Sequence, residues 1–350
     1  MKTAIIGAGS IGTVMGAYLT RANYDVMLAD TYDEHVKTLR ERGATILHSD
    51  SAMDFTIPVS ACHPDELTDE YDLYILLTKQ TANVHVLPLL KERLRGGTVC
   101  TFQNGLPELS VSEAVGVERT IGGSVIYGAS LLEPGVSRVT QDYDRFREYA
   151  LHIGEIYKPR TERVIKIAEM LGAVGGVTIT DNLMNTKWTK LLMNCTESGP
   201  SAAFNRTFGE NADDPKSLMF SVFIAKECIL VCEACGFEIG KSAGLNLRDY
   251  YWENKEQLKR GMEIFRENGK RSRNLIASML FDLRHKRISE VEYINGMVAK
   301  MGRQHGIPTP FNSLIVDLVQ EAEARSDLND PLTALSRFDS LLSGYEDLLK

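Results

Sequence analysis

The chain opens on a short apolar run, Lys2 to Ile6, that leads straight into Gly7-Ala8-Gly9-Ser10-Ile11-Gly12 and then into a helical pattern from Ser10 to about Asn23. Few arrangements constrain a fold as tightly. A strand that becomes a helix through G-x-G-x-x-G uses its first glycine for the tight turn. The second lets a pyrophosphate approach the backbone, and the third lets the helix pack close to the strand. The first turn of that helix offers free N–H groups and a partial positive charge to phosphates. Gly7, Gly9, Ser10, Ile11 and Gly12 therefore read as a dinucleotide cradle, against the alternative of a plain glycine-rich βα turn.

The second strand, Asp25 to Ala29, ends at Asp30, 18 residues beyond Gly12, near the spacing of about 20 at which an acidic residue meets the adenosine ribose. A carboxylate there accepts from the ribose hydroxyls and repels a 2′-phosphate. The expectation is NAD(H) in preference to NADP(H). The alternative is that Asp30 caps the following helix, a role Thr31 or Asp33 also suits. Arg40 and Arg42 lie too far along to form an obvious clamp for a 2′-phosphate.

Strand and helix patterns alternate after this. Helical runs are expected over Asp33 to Arg42, Thr81 to Leu94 with a kink at Pro88, and Arg160 to Leu171. Strands are expected at Ala44 to Leu47, Phe55 to Val59, Leu73 to Leu77, Thr98 to Phe102, Gly123 to Tyr127, Ser130 to Leu132, Val136 to Thr140, Leu151 to Ile153 and Gly176 to Ile179. Such alternation predicts an α/β fold, a Rossmann-type doubly wound parallel sheet with an added antiparallel part. Beyond about Thr180 the pattern is helical, over Ser217 to Cys235, Arg248 to Arg266, Asn274 to Arg284, Glu290 to His305 and Ser313 to Ala324. The chain thus divides into a dinucleotide-binding domain, 1–181, and an all-α substrate and catalytic domain, 182–350.

Composition narrows the partners. At 350 residues, with 43% hydrophobic and 25% charged residues, the chain has material for two soluble cores. A net charge of −8 argues against nucleic acid. No apolar run is long enough to span a bilayer, and the N-terminus reads as a strand, so the default location is cytoplasmic. Cys228, Cys232 and Cys235 superficially match an iron–sulfur spacing, but in a helix they share one face and read as buried packing. No His, Cys and carboxylate set stands at ligand spacing, so no metal is expected.

Two segments close sheet strands at their carboxyl ends, where open α/β sheets bind ligands. These are Thr78-Lys79-Gln80 and Gln103-Asn104-Gly105. Thr78, Lys79 and Asn104 are thus placed to touch cofactor or substrate, with a solvated lysine and a turn asparagine as the plainer readings. A third segment, Lys187-Trp188-Thr189-Lys190-Leu191-Leu192-Met193-Asn194, opens the helical domain. Lys190 and Asn194 share a helix face, which Ser198 continues until Gly199-Pro200 ends the helix. Lys187 falls on a neighbouring, solvated face.

Taken with Ser278-Met279-Leu280-Phe281-Asp282 and the later Arg287-Ile288-Ser289-Glu290-Val291-Glu292-Tyr293-Ile294-Asn295-Gly296, these segments resemble the ketopantoate reductase (2-dehydropantoate 2-reductase) family in order and over nearly the whole chain. The resemblance implies an NAD(P)-dependent oxidoreductase that interconverts a 2-oxo acid and its 2-hydroxy form. It implies Lys190 as the general acid and Glu290 as the active-site carboxylate. Asn194 and Ser278 would bind substrate, as would Ser198 at the position of a second family asparagine. Lys79 and Asn104 would lie on the cofactor side. The chemistry agrees, because reduction leaves negative charge on the former carbonyl oxygen, which a cationic proton donor stabilises.

Three departures from the family pattern stand out. Asp30 occupies a strand end where many relatives carry an arginine and use NADPH. Ser198 and Gly199 replace an Asn-Pro pair, with Glu197 before them. The stretch Gly236 to Ala277 is longer than in compact members. It carries Tyr250, Tyr251 and Trp252, which core or interface packing would occupy, and a basic run of Arg266, Lys270, Arg271 and Arg273. That run reads either as a site for an extra anionic group or as a solvated surface. Two rival functions remain, an NAD-dependent dehydrogenase of another hydroxy acid or an opine-type substrate, and a non-catalytic NAD(H)-binding sensor. A homodimer through the helical domain is a further expectation.

Overall fold

The computed structural model describes residues 1–67, 70–242, 244–271, 273–343 and 345. The chain divides into two compact units, Met1–Leu183 and Met184–Lys350.

The first unit holds strands β1 (Thr3–Ile6), β2 (Val26–Ala29), β3 (Ala44–Leu47), β4 (Phe55–Ile57), β5 (Ser60–Cys62), β6 (Leu73–Leu76), β7 (Thr98–Thr101), β8 (Thr120–Val125), β9 (Ala129–Glu133), β10 (Val136–Val139), β11 (Leu151–Glu155) and β12 (Val177–Ile179). Eight of them form one sheet in the order β12-β11-β8-β7-β6-β1-β2-β5, parallel throughout except between β8 and β11. The strand order reverses beside β1, so β1 and β6 flank the crevice where an open sheet takes its ligand. A second sheet, β4-β3-β10-β9, lies over the first helix.

Period-two alternation explains why the central strands read as unbroken apolar runs. Ile5, Leu28, Leu73 and Ile75 face one core, with Val14, Met15 and Leu19 of helix α1 (Ser10–Arg21). Ala4, Ile6, Tyr74 and Leu76 face the other, with Leu90 of α3 (Asn83–Arg93) and Val111 of α4 (Pro107–Val115). The remaining helices here are α2 (Asp33–Arg42), α5 (Tyr143–Glu148) and α6 (Glu162–Leu171). The sequence reading overlooks β5, α4 and α5, all short. It also starts β8 three residues late, because Gly122 and Gly123 lie inside that strand.

Among the described residues the second unit is helical apart from a hairpin of two-residue strands, Lys241–Ser242 with Leu245–Asn246. Helix α7 (Leu183–Met193) enters it and is followed by a π-helical turn, Asn194–Ser198, and by α8 (Gly199–Ala203), α9 (Phe208–Asp213) and α10 (Pro215–Ala234). Then come α11 (Lys255–Arg271), α12 (Ser278–Arg284), α13 (Asn295–His305), α14 (Pro310–Arg325) and α15 (Pro331–Ser336). Helix α10 is apolar on nearly all sides and runs through the centre of this core, with Phe220, Phe223, Ile224 and Val231 buried. Its N-terminus is capped by Asp214, which accepts from the amides of Lys216 at 2.8 Å and Ser217 at 3.2 Å.

Two expectations need correction here. The helical run does not stop at Gly199-Pro200 but continues to Ala203. Pro200 supplies no N–H there, and the Thr196 carbonyl that it leaves without a helical donor accepts from the Ser221 hydroxyl instead. The run Arg248 to Arg266 is also not one helix, since Leu247–Tyr250 is a separate 3₁₀ turn and α11 begins at Lys255. Tyr250 and Trp252 are core residues, Tyr250 stacked on Phe265 and Trp252 packed on Phe223. Cys228 and Cys232 are buried on α10, and Cys235 caps its end.

Candidate functional site

In the first unit the glycine turn is dictated by contacts at two of its three glycines. Gly7 has φ +99°, and a Cβ there would stand 2.6 Å from the Thr78 nitrogen. A Cβ on Gly12 would stand 2.1 Å from the Gly7 carbonyl oxygen. Gly9 differs: it is exposed, and no protein atom lies within 4 Å of where its Cβ would be. The protein itself does not require a glycine at that point, whereas a group drawn onto the turn from outside would. Ser10 and Ile11 open α1 at half-buried positions beside it.

The turn is held from behind by His35, a 1% exposed residue of α2. The Gly135 amide donates to its Nδ1 at 2.9 Å, so Nε2 carries the proton and donates to the Ala8 carbonyl at 2.7 Å. The Thr13 hydroxyl donates to the same carbonyl at 2.7 Å. Burial holds the imidazole below its ordinary pKa, against the opposing pull of the Ala8 carbonyl and Asp30. No local signal in the sequence points to this residue, because its partners lie far away along the chain.

Asp30 is half-buried at the end of β2. Its Oδ1 accepts from the Tyr32 amide at 3.0 Å, and its own amide donates to the Cys62 carbonyl at 3.2 Å. Oδ2 makes no hydrogen bond among the described residues. Helix α2 takes Tyr32 as its N-cap and receives no side-chain cap. Arg40 donates through Nε to the Ala61 carbonyl at 2.7 Å and pairs with Glu66.

The ends of β6 and β7 are joined by amide side chains that the sequence reading did not single out. The Gln103 amide donates to the Thr78 hydroxyl at 3.1 Å and to Asn83 Oδ1 at 2.7 Å. Gln80 donates to the Asn104 carbonyl at 2.5 Å, and Gly105 takes φ +77° directly after it. Thr78, half-buried Lys79 and half-buried Asn104 therefore come together with Gly7 at the carboxyl ends of neighbouring strands.

In the second unit Lys190 is half-buried on α7, one turn before Asn194, and Trp188, Leu191 and Leu192 are buried around it. Lys187 is 2% exposed, not solvated as its periodicity suggested. The opposite side of α7 is docked: Thr189 accepts from the Gly240 amide at 2.8 Å, and Asn185 from the Glu238 amide at 3.1 Å. Asn194 and Ser198 are half-buried at the two ends of the π turn. Between them, burial pushes the Glu197 carboxyl up to about 7. Helix α12 packs against this turn and against α8, its start tied by the Ala277 amide to the Ser201 hydroxyl at 3.4 Å. Ser278 is exposed at the first position of α12. Glu290 is buried and opens the turn Val291–Tyr293, packed on α13 and α14. Five residues on, the Asn295 amide donates to the Cys195 carbonyl of the π turn at 3.1 Å.

Two members of the basic run are paired. Arg273 pairs with Asp213 at 2.5 Å and Lys270 with Glu267 at 2.6 Å, as a solvated surface would be; the Arg271 side chain lies outside the described residues. No group of three or more His, Cys, Asp or Glu residues able to hold a metal occurs among the described residues. No helix among them is long and apolar enough to cross a membrane.

Comparison with known proteins places these features in a lineage. Residues 3–147 match the family model described as ketopantoate reductase PanE/ApbA, and residues 182–323 match the one for its C-terminal part. A 2-dehydropantoate 2-reductase of Pyrococcus horikoshii is 28% identical over 331 residues, covering 93% of this chain and 98% of that protein. One from Streptococcus pyogenes is 25% identical over 328 residues, with the same coverage. Among solved structures, D-mandelate dehydrogenase with NADH and anilino(oxo)acetate superimposes with a TM-score of 0.78 at 21% identity, over 93% of this chain and 99% of that one. A ketopantoate reductase of Ralstonia eutropha gives 0.78 at 23% identity, again over 93% and 99%.

Proposed function

The chain belongs to the ketopantoate reductase family, both parts of whose model it matches, and on that premise we propose that it is an NADH-dependent reductase of a 2-oxo acid. The observation that carries the reading is half-buried Lys190 set one helical turn before Asn194 and the π turn. A nicotinamide dinucleotide, when bound, supplies the hydride. The turn Gly7 to Gly12, open at Gly9, and the first amides of α1 would hold its pyrophosphate, and Asp30 would hold its adenosine ribose.

Lys190 holds its ammonium beside the substrate carbonyl and donates a proton to that oxygen as the alcohol forms. Its charge stabilises the developing alkoxide. Asn194, Ser198 and Ser278 offer amide and hydroxyl donors to the substrate carboxylate. Glu290 completes this set with its carboxyl group. Thr78, Lys79 and Asn104 line the cofactor side. The preference for NADH rests on Asp30 and on the engagement of Arg40 with Ala61 and Glu66, which leaves that arginine committed within the protein. Ser198, smaller than the family's asparagine, and the ionisable Glu197 beside it favour a substrate whose side chain differs from that of ketopantoate.

The test is the initial rate of NADH and of NADPH oxidation with ketopantoate and with bulkier 2-oxo acids. Turnover with at least one 2-oxo acid, faster with NADH, is expected. Tight NADH binding with no turnover of any 2-oxo acid would refute the assignment and favour a cofactor-binding sensor.

A further inference from the structure

The helix that carries Lys190 is widened by one residue where Asn194 and Ser198 sit. The Gly199 amide reaches back five residues, to the Asn194 carbonyl, and so passes over the Cys195 carbonyl. Pro200 has no N–H, so the Thr196 carbonyl, four residues before it, also lacks its helical donor. Both carbonyls belong to buried residues, where an unpaired acceptor is costly. Each is met by one side chain from another helix. The Asn295 amide of α13 donates to the Cys195 carbonyl at 3.1 Å, and the Ser221 hydroxyl of α10 to the Thr196 carbonyl at 3.1 Å.

The Asn295 amide is itself oriented. Its second N–H donates to Asn312 Oδ1 at 3.0 Å. The Asn312 amide donates to Glu227 Oε2 at 2.8 Å and to the Ile224 carbonyl at 3.2 Å. Glu227 also accepts the amides of Phe311 at 2.9 Å and Asn312 at 2.8 Å, at the start of α14. An acceptor at Glu227 thus fixes Asn312, which fixes Asn295, which must present a donor to the π turn. Gly199 makes room for this contact, since a Cβ there would stand 2.4 Å from Asn295 Oδ1.

We propose that Asn295, assisted by Ser221, is a positioning residue for substrate recognition: it holds the Asn194–Ser198 turn in its widened form and thereby sets where Asn194 and Ser198 present their side chains. π turns of this kind concentrate at functional sites because they re-aim side chains without breaking the helix. The proposal rests on the reading of Asn194 and Ser198 as substrate ligands, and its test is built to be separable from it.

Asn295→Ala and Asn295→Asp remove the donor, the second with little change of volume, and Ser221→Ala releases the other carbonyl. Three quantities are compared with wild type: amide hydrogen exchange of segment 194–203, the KM and kcat for ketopantoate or whichever 2-oxo acid the wild type reduces, and the Kd for NADH. Both Asn295 variants are expected to exchange this segment about tenfold faster or more and to raise the 2-oxo acid KM by about tenfold or more, with the Kd for NADH within about twofold. Ser221→Ala moves the same quantities in the same direction, and it decides the matter if the Asn295 variants do not fold. Unchanged exchange in a folded variant overturns the claim that these side chains hold the turn. Faster exchange with an unchanged KM overturns the claim that the turn positions substrate. A wild type that reduces no 2-oxo acid refutes the functional reading instead, and the exchange data alone then decide whether Asn295 holds the turn.

Discussion

Replacing Gly9 and Gly12 by alanine, one at a time, separates a glycine that a ligand needs from one that the fold needs. At Gly9 the backbone is extended, with φ −61°, and the added methyl meets no protein atom within 4 Å. Two small effects oppose each other there. Alanine restricts the unfolded chain, worth about 0.4–1 kcal/mol, and it is a poorer N-cap than glycine by a comparable amount. Gly9→Ala should therefore unfold within about 0.5 kcal/mol of wild type. At Gly12 the methyl would lie 2.1 Å from the Gly7 carbonyl, a backbone atom that cannot swing aside. Forcing α1 off β1 costs about 1–3 kcal/mol, the scale of an overpacked core. Denaturant unfolding measures both, and NADH fluorescence titration measures affinity. The expected pattern is a stable Gly9→Ala with NADH affinity reduced about tenfold or more, ~1.4 kcal/mol, and a destabilised Gly12→Ala. A Gly9→Ala protein that binds NADH like wild type would refute the placement of the pyrophosphate against that edge.

Three other outcomes follow from the site. Asp30→Ser removes the charge expected to repel a 2′-phosphate, so the ratio of NADPH to NADH turnover should rise about tenfold or more; an unchanged ratio would place cofactor selection elsewhere. Protonated His35 loses the acceptor for the Gly135 amide. Because burial lowers its pKa, its contribution to stability is present above the unfolded value of about 6.5 and lost as pH falls through it towards the folded value. The Kd for NADH should weaken as pH falls through the lower, folded value in wild type and lose that dependence in His35→Gln, as titrations at several pH values would reveal. Burial pushes Glu227 up to about 7, so the folded state holds its proton where the unfolded chain, with an ordinary carboxyl near 4.5, has released it. Stability should then fall as pH rises from about 5 to 7, with Glu197 acting in the same sense, and Glu227→Gln should show a shallower slope in denaturant titrations.

What was legible in the sequence was local. Gly7, Gly9 and Gly12, the strand before them and the carboxylate at the end of the next strand all lie within one βαβ unit, so spacing alone places them. The strand ends at Thr78 and Asn104 were legible for the same reason. Contacts between distant segments were not. His35 acts through Gly135, 100 residues away, and nothing beside it in the chain announces that. The π turn has the same apolar periodicity as an α-helix over five residues, and it is specified by Ser221 and Asn295, which lie on other helices. Lys187 looked solvated because helical phase was the only guide, whereas tertiary packing buries it. Asn83 reads only as part of a helical run and Gln103 as one residue of a strand-end segment, and only the adjacency of β6 and β7 turns them into a network.

The most direct test of the central claim is turnover by Lys190→Ala beside its affinity for NADH. The account predicts a fall in kcat of ~100-fold or more, the lower end of acid–base effects, with the Kd for NADH nearly unchanged. Wild-type turnover in that variant would contradict it and remove Lys190 from the chemistry.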